Sequence, residues 1–211
     1  MCRTLPQIAS FHTNMKKRTA VQRRITKETK VSVSIKLDKP GNTVIDTTIP
    51  FMDHMLQLFA HHAGFSANIK ACGDTNIDDH HLVEDIGITL GLCIKEALGD
   101  KKGISRYGNF LLPMDEALAY VALDLSGRPL LDFDVKFSKL GGERFDYSLI
   151  KEFFYAVAVN GGITLHICMK KGANNHHIAE AIFKGFGRAL AAASARDKKQ
   201  KSFPSTKGML A

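Results

Sequence analysis

The chain alternates between two hydrophobic rhythms, and it does so twice. Residues 65–73 switch between apolar and polar positions, the period of a strand with one buried face. A polar turn follows. Then Leu82, Ile86, Leu90, Ile94 and Ala97 recur at helical spacing, with Gly99 placed to stop the helix. The second half repeats the pattern: residues 163–172 predict a strand, 173–175 a turn, and Ile178, Ile182, Phe186 and Leu190 one helix face. Asp79 and Asn175 sit where helix N-caps belong, and Gly91 matches Gly187. Upstream, residues 50–64 and 150–162 predict amphipathic helices that run into those strands. Two strand-like segments precede each of them, 20–36 and 43–49 in the first half, 115–125 and 130–136 in the second.

Each half therefore reads β-β-α-β-α. One small sheet with two helices buries its apolar faces poorly by itself. The expected fold is α/β (α+β): two halves packed by pseudo-twofold symmetry, with helices against mixed sheets. Residues 18–99 form the first repeat, 100–197 the second, and 198–211 a basic tail that contacts phosphate; both repeats belong to one catalytic domain. Residues 1–17 are basic, lack acids and have no long apolar stretch, so they read as a disordered extension ahead of an internal start at Met15 rather than as a secretory signal.

The helix starts carry the chemistry. His80-His81-x-x-Glu84 and His176-His177-x-x-Glu180 stand 96 residues apart at equivalent points of the repeat. Residues i and i+4 share a helix face, so His80 with Glu84, and His176 with Glu180, can each hold a cation. The adjacent His81 and His177 point about 100° away around the helix. The doubled histidines thus predict two metals per site, or helices from different halves or subunits that share them. The site expected from the repeat is binuclear, with the two helices facing across it. Imidazole with carboxylate suits Mn, Fe or Zn. His54 on the upstream helix has Glu152 as its counterpart, and both residue types ligate metal. His62, eight residues after His54, can reach the same pocket, whereas His166 alternates within a strand and reads as structural.

Composition narrows the classes. No apolar run in the 211 residues approaches the length of a membrane span. Cys2, Cys72, Cys93 and Cys168 form no CxxC pair, which argues against a disulfide framework or thiolate zinc and fits a reducing, cytoplasmic compartment. The net charge of +8 invites an anionic partner, either nucleic acid or a phosphorylated substrate. Phosphate-binding candidates are Arg106, Arg128 and Lys184, with Ser205, Thr206 and Lys207 near the C-terminus. Neither a Walker-type loop nor GxGxxG occurs.

From about residue 18 to 210 the chain resembles the imidazoleglycerol-phosphate dehydratases. The resemblance rests on Thr26-Lys27-Glu28-Thr29, on Phe51-Met52-Asp53-His54-Met55-Leu56 and on Asp78-Asp79-His80-His81-Leu82-Val83-Glu84-Asp85. It continues through Pro113-Met114-Asp115-Glu116-Ala117, Asp124-Leu125-Ser126-Gly127-Arg128-Pro129 and Gly162-Ile163-Thr164-Leu165-His166. His176-His177-Ile178-Ala179-Glu180 and Pro204-Ser205-Thr206-Lys207-Gly208 complete it.

What the resemblance implies is a fold akin to the second domain of ribosomal protein S5, assembled into an octahedral 24-mer with sites between subunits. It implies two Mn(II) ions per active site, held by His54, His80, His81, Glu84, Glu152, His176, His177 and Glu180. Many members have His where this chain has Glu152. Substrate contacts carried over fall on Glu28, His62, Arg106, Arg128, Lys184, Ser205, Thr206 and Lys207, with His54, His80, Glu84 and His176 on the metal side. The implied substrate is imidazole glycerol phosphate, whose imidazole, bound as imidazolate, expels the neighbouring hydroxyl; neither nucleic acid nor membrane is a partner. Glu28 and His62 are the candidate proton shuttles, beside the metal-holding carboxylates Glu84 and Glu180 in the catalytic set. Two rival readings are a two-metal phosphoesterase and an RNA-binding module.

Overall fold

The computed structural model describes residues 17–138, 144–197, 199–200 and 202–209; the expected extension lies almost wholly outside the described residues. In chain order the first half is β1 (Thr19–Ile25), β2 (Thr29–Lys36), β3 (Val44–Asp46), α1 (Pro50–Ala63), β4 (Ser66–Gly73) and α2 (His80–Leu98). The second is β5 (Tyr107–Met114), β6 (Ala117–Asp124), β7 (Leu130–Asp134), α3 (Leu149–Gly161), β8 (Thr164–Lys171) and α4 (Asn175–Ser194). The sheets are ordered β1-β2-β4-β3 and β5-β6-β8-β7, one order written twice. Both are mixed, since β3 runs parallel to β4, and β7 to β8, while the other pairs are antiparallel.

The two-half α/β architecture is as expected, and the structure adds one strand to each half. Segment 20–36 turns back at Thr26-Lys27-Glu28 to make the hairpin β1–β2. Its counterpart β5 has no strand-like periodicity, because only Gly108 and Leu112 of its eight residues are buried.

Alternation in β2, β4 and β6 places Val31, Val33, Ile35, Ala67, Ile69, Ala119 and Val121 on inner faces. Helices cover these faces, α1 and α2 on the first sheet and α3 and α4 on the second. The halves then meet helix to helix, α2 on α3 and α1 on α4. Phe59 of α1 stacks on Phe186 of α4 at 5.3 Å, and Phe153 of α3 on Phe183 of α4 at 5.3 Å. All four rings are at most 2% exposed, and each contributes about 1.5–3 kcal/mol on burial.

Matched glycines permit both crossings. A Cβ on Gly91 would lie 2.7 Å from the Val157 carbonyl oxygen, and one on Gly187 would lie 2.6 Å from that of Phe59. Backbone meets backbone at each place, so no side chain fits between. This close approach fixes where the N-termini of α2 and α4 stand.

The helix caps depart from expectation in two respects. Asp79 precedes α2 but makes no side-chain cap, and the Asp78 carboxylate instead accepts from the His80 N–H at 2.8 Å. For α4 the cap is Asn174, not Asn175: its side-chain oxygen accepts from the N–H groups of His176 and His177. Asn175 is the first helical residue, buried, and its side chain accepts from the Ser138 N–H at 2.9 Å. Pro50 opens α1 where its missing N–H is not needed, and Gly64 closes it in the left-handed conformation at φ 67°.

Candidate active site

Where α1 crosses α4, His54 and His176 converge on one carboxylate. Their Nε2 atoms lie 3.1 and 2.9 Å from Glu180 Oε1, and the rings stack at 5.6 Å. Lys184, one turn further along α4, donates to Glu180 Oε2 at 2.5 Å. The three ligand atoms lie within 4.8 Å of one another, a spacing at which one cation can be shared. Glu180 is only 8% exposed. Burial pushes its carboxyl up, but hydrogen bonds from Lys184, His54 and His176 outweigh that and hold it at about 2. Phe51 packs edge-on against His176 at 5.7 Å and walls one side.

His62 stands two turns beyond His54 on α1, among the charges of Arg188, Lys184 and Glu180. Burial, with the Arg188 charge second, pushes its imidazole below the ordinary value, and its Nδ1 is buried without a hydrogen-bond partner among the described residues.

The second histidine of each pair turns elsewhere. His177 Nδ1 lies 2.7 Å from Glu116 Oε2, and His81 Nδ1 lies 3.1 Å from Asp74 Oδ2 and 3.8 Å from Glu28 Oε2. The hydrogen bond that the His81 ring donates to Asp74, then the charge of Glu28, pushes its imidazole up; Glu116 does the same to His177 and is itself held at about 2. Glu28 is exposed in the β1–β2 turn, which Thr29 and Arg24 tie to Asp85 of α2.

The two motifs therefore do not meet within one chain. His80, Glu84 and Glu152, the counterparts of His176, Glu180 and His54, form no convergent ligand group among the described residues. The expectation of two helices facing across one site fails here because α2 packs on α3, and α4 on α1. His166 pairs with Asp132 at 3.1 Å on the sheet's exposed face, away from the His54–His176–Glu180 cluster.

The phosphate candidates, drawn from separate stretches, do come together. Arg106, Arg128, Ser205, Thr206 and Lys207 line one cavity of about 830 Å³. Arg106 is held by Asp124 at 2.7 and 3.0 Å, and its Nη1 donates to the Pro204 carbonyl at 2.9 Å, anchoring the C-terminal segment. Lys184 is the exception, committed to Glu180. Asp74 and Glu116 were not read as site residues. Glu116 lies inside a quoted motif, but a carboxylate in a hairpin turn carries no signal of a histidine 61 residues away.

The model of the family "Imidazoleglycerol-phosphate dehydratase" matches residues 47–190, which span both histidine motifs. The chain belongs to the imidazoleglycerol-phosphate dehydratase family. The dehydratase of Endomicrobium trichonymphae is 62% identical over 198 residues, covering 93% of this chain and all of that one. That of Syntrophus aciditrophicus (strain SB) is 54% identical over 195 residues, 92% of this chain and 98% of the relative. The crystal structure of imidazoleglycerol-phosphate dehydratase from Staphylococcus aureus subsp. aureus N315 superposes with a TM-score of 0.77 at 44% identity, over 84% of this chain and 99% of that one. The Pyrococcus furiosus enzyme, solved in complex with (S)-C348, gives a TM-score of 0.78 at 41% identity, over 89% of this chain and 99% of that one. As a member of the dehydratase family the chain is an enzyme, a hydro-lyase of histidine biosynthesis.

Proposed function

We propose that this chain dehydrates imidazole glycerol phosphate to imidazole acetol phosphate with two Mn(II) ions per active site, in sites shared between subunits of an octahedral 24-mer. The observation that carries the reading is the convergence of His54 and His176 on Glu180. Nitrogen and oxygen donors without thiolate fit Mn(II), and Cys93 is buried among core side chains rather than at this site. In the proposal His54, His176 and Glu180 hold one ion together with outer histidines of a neighbouring subunit, and His80, Glu84 and Glu152 supply the equivalent donors. When bound, the cations act as Lewis acids that stabilise negative charge on the substrate's imidazole.

Distance supports a shared site. Glu180 lies near the start of α4, whereas the Arg106 N–H bonds to the carbonyl of Ala193 at its end. Thirteen residues of helix separate those ends by about 20 Å. A substrate made of one imidazole, three carbons and a phosphate spans roughly 10 Å at ordinary bond lengths. The substrate is about half as long as that separation, which favours metal ligands and a basic cavity drawn from different subunits. The cavity of one subunit, with Arg106, Arg128, Ser205, Thr206 and Lys207, therefore serves metal ligands of another in the proposed assembly. Lys184 keeps Glu180 ionised and faces the substrate across it.

The remaining residues handle protons. His62 and Glu28 are the proposed proton carriers, and Glu28 presents an exposed carboxylate beside His81. Glu28→Gln is expected to lower kcat about 10²-fold with Mn(II) content unchanged. Undiminished turnover in that variant removes Glu28 from the role.

The site of action is proposed to be the cytoplasm, in keeping with the free Cys72, Cys93 and Cys168. Among the described residues no helix is long and apolar enough to cross a membrane. The deciding experiment supplies imidazole glycerol phosphate with and without Mn(II) and follows keto product and free phosphate. Manganese-dependent keto product is the expected result. Phosphate release in its place makes the chain a phosphoesterase, and tight, steeply salt-dependent RNA binding with neither product makes it an RNA-binding module.

A further inference from the structure

The outer histidines, His81 and His177, share a geometry that the inner ones lack. Each has its Nδ1 against a carboxylate, Asp74 Oδ2 at 3.1 Å for His81 and Glu116 Oε2 at 2.7 Å for His177. An ionised carboxylate only accepts, so in each neutral ring Nδ1 carries the hydrogen and Nε2 keeps its lone pair. Both rings are thereby turned with Nε2 away from the carboxylate that binds Nδ1, the state a metal-binding histidine needs, and Nε2 of His177 lies 3.8 Å from Asp115 Oδ2.

We propose that Asp74 and Glu116 are the positioning residues of the two outer histidines, each fixing ring orientation and tautomer so that Nε2 is the metal donor. The proposal rests on the reading above that His81 and His177 hold Mn(II).

The two carboxylates reach their histidines by different routes. Glu116 lies in the β5–β6 turn, and the matching turn of the first half holds Glu28. By the repeat alone, Glu28 would hold His81. It stands 3.8 Å from that ring with its side chain 56% exposed, because Asp74, at the end of β4, has taken the hydrogen bond. The turn after β8 contains Gly172, Ala173 and Asn174 and no acid, so Glu116 must hold His177 itself. Each outer histidine thus has one orienting carboxylate, and Glu28 is left exposed beside His81.

A purely structural role fits Asp74 poorly. Among the described residues its Oδ1 is buried without a hydrogen-bond partner, unlike Oε1 of Glu116. Glu116 does have a second task. Its Oε1 accepts from the N–H groups of Ala173 and Asn174 at 3.3 and 2.9 Å and secures the turn that leads into α4. Asp74 is accordingly the cleaner position to test.

The test uses the full chain, stripped of metal and reloaded, with free Mn(II) followed by electron paramagnetic resonance. Asp74→Ala and Glu116→Ala are expected to weaken Mn(II) binding about 10–100-fold. Asp74→Asn and Glu116→Gln, which keep an acceptor for Nδ1–H, are expected to recover most of that loss. The thermal midpoint of metal-free Asp74→Ala is expected to match or exceed that of the wild type, which a structural carboxylate would not allow. Wild-type affinity in Asp74→Ala, or an Asn variant as weak as the Ala variant, overturns the proposal. If Glu116→Ala fails to fold, the Asp74 variants decide alone. A wild-type protein that binds no Mn(II) overturns the underlying metal reading instead, and the two failures are distinct.

Discussion

Glu180→Gln is expected to lower turnover at saturating Mn(II) and substrate by about 10³-fold or more. The side chain is 8% exposed, and three groups depend on its charge: His54 and His176 on one oxygen, Lys184 on the other. Glutamine keeps the volume but offers one acceptor and one donor where two acceptors are needed. Whichever way the amide turns, its NH2 group faces either Lys184 or the two imidazoles. Lys184, with its side chain 14% exposed, is then left as a cation without its counter-charge, so the folded protein loses stability as well. Pairing the change with Lys184→Met separates the two effects. The double variant is expected to regain thermal stability, because an ion pair removed whole costs less than one broken, and to remain inactive. Melting curves, Mn(II) stoichiometry and keto-product formation read the three quantities. A Glu180→Gln protein within tenfold of wild-type turnover would take Glu180 out of the site.

Local spacing revealed most of the fold and half of the site, and the limits have physical causes. The i, i+4 relation of His176 and Glu180 is a property of one helix turn, so it was readable before any packing was known. Likewise α2 declares itself through Leu82, Ile86, Leu90 and Ile94, all fully buried. Strand β5 was hidden because its contact with α4 runs through a glycine. Residues around Gly108 are mostly exposed, so no alternation marks them, and Pro113 weakens a strand reading further. The break in segment 20–36 was hidden for a different reason: Thr26, Lys27 and Glu28 turn the chain without glycine or proline.

Within the site, the unreadable contacts are the long-range ones. The Asp74–His81 contact crosses seven residues and Glu116–His177 crosses 61, and both depend on how a turn at the end of a strand meets a helix start. The basic cavity lies between these cases. Its arginines and its Ser-Thr-Lys run were identifiable as phosphate donors by type, but their meeting depends on Arg106 binding the Pro204 carbonyl. The N-cap shift from Asn175 to Asn174 belongs here too. Either asparagine could cap, and Ser138 settles the matter by taking the side chain of Asn175 into the interior.

Gly187→Val and Gly91→Val are expected to destabilise the protein similarly, by about 3 kcal/mol each, yet to act differently on the metal ligands. Both positions put a new Cβ against a neighbouring helix backbone: 2.6 Å from the Phe59 oxygen and 3.0 Å from the Ala63 nitrogen for Gly187, 2.7 Å from the Val157 oxygen and 2.9 Å from the Gly161 nitrogen for Gly91. Backbone cannot rotate out of the way, so the helices must separate. In a chain of this length, about 3 kcal/mol lowers Tm by roughly 6–12 °C, compared at one protein concentration. The consequences diverge because the crossings hold different things. Separating α4 from α1 pulls His176 and Glu180 from His54, which faces them across that crossing. Separating α2 from α3 leaves the three together. Gly187→Val, assayed well below its Tm, is therefore expected to bind Mn(II) more weakly at the His54–His176–Glu180 cluster than Gly91→Val does. Equal Mn(II) affinity in two equally destabilised variants would mean that the α1–α4 contact does not set the spacing of those ligands. Displacements of a few tenths of an ångström suffice, since metal–ligand distances tolerate only about 0.2 Å. The same glycine that lets the two halves share a core thus also sets how closely His54, His176 and Glu180 approach.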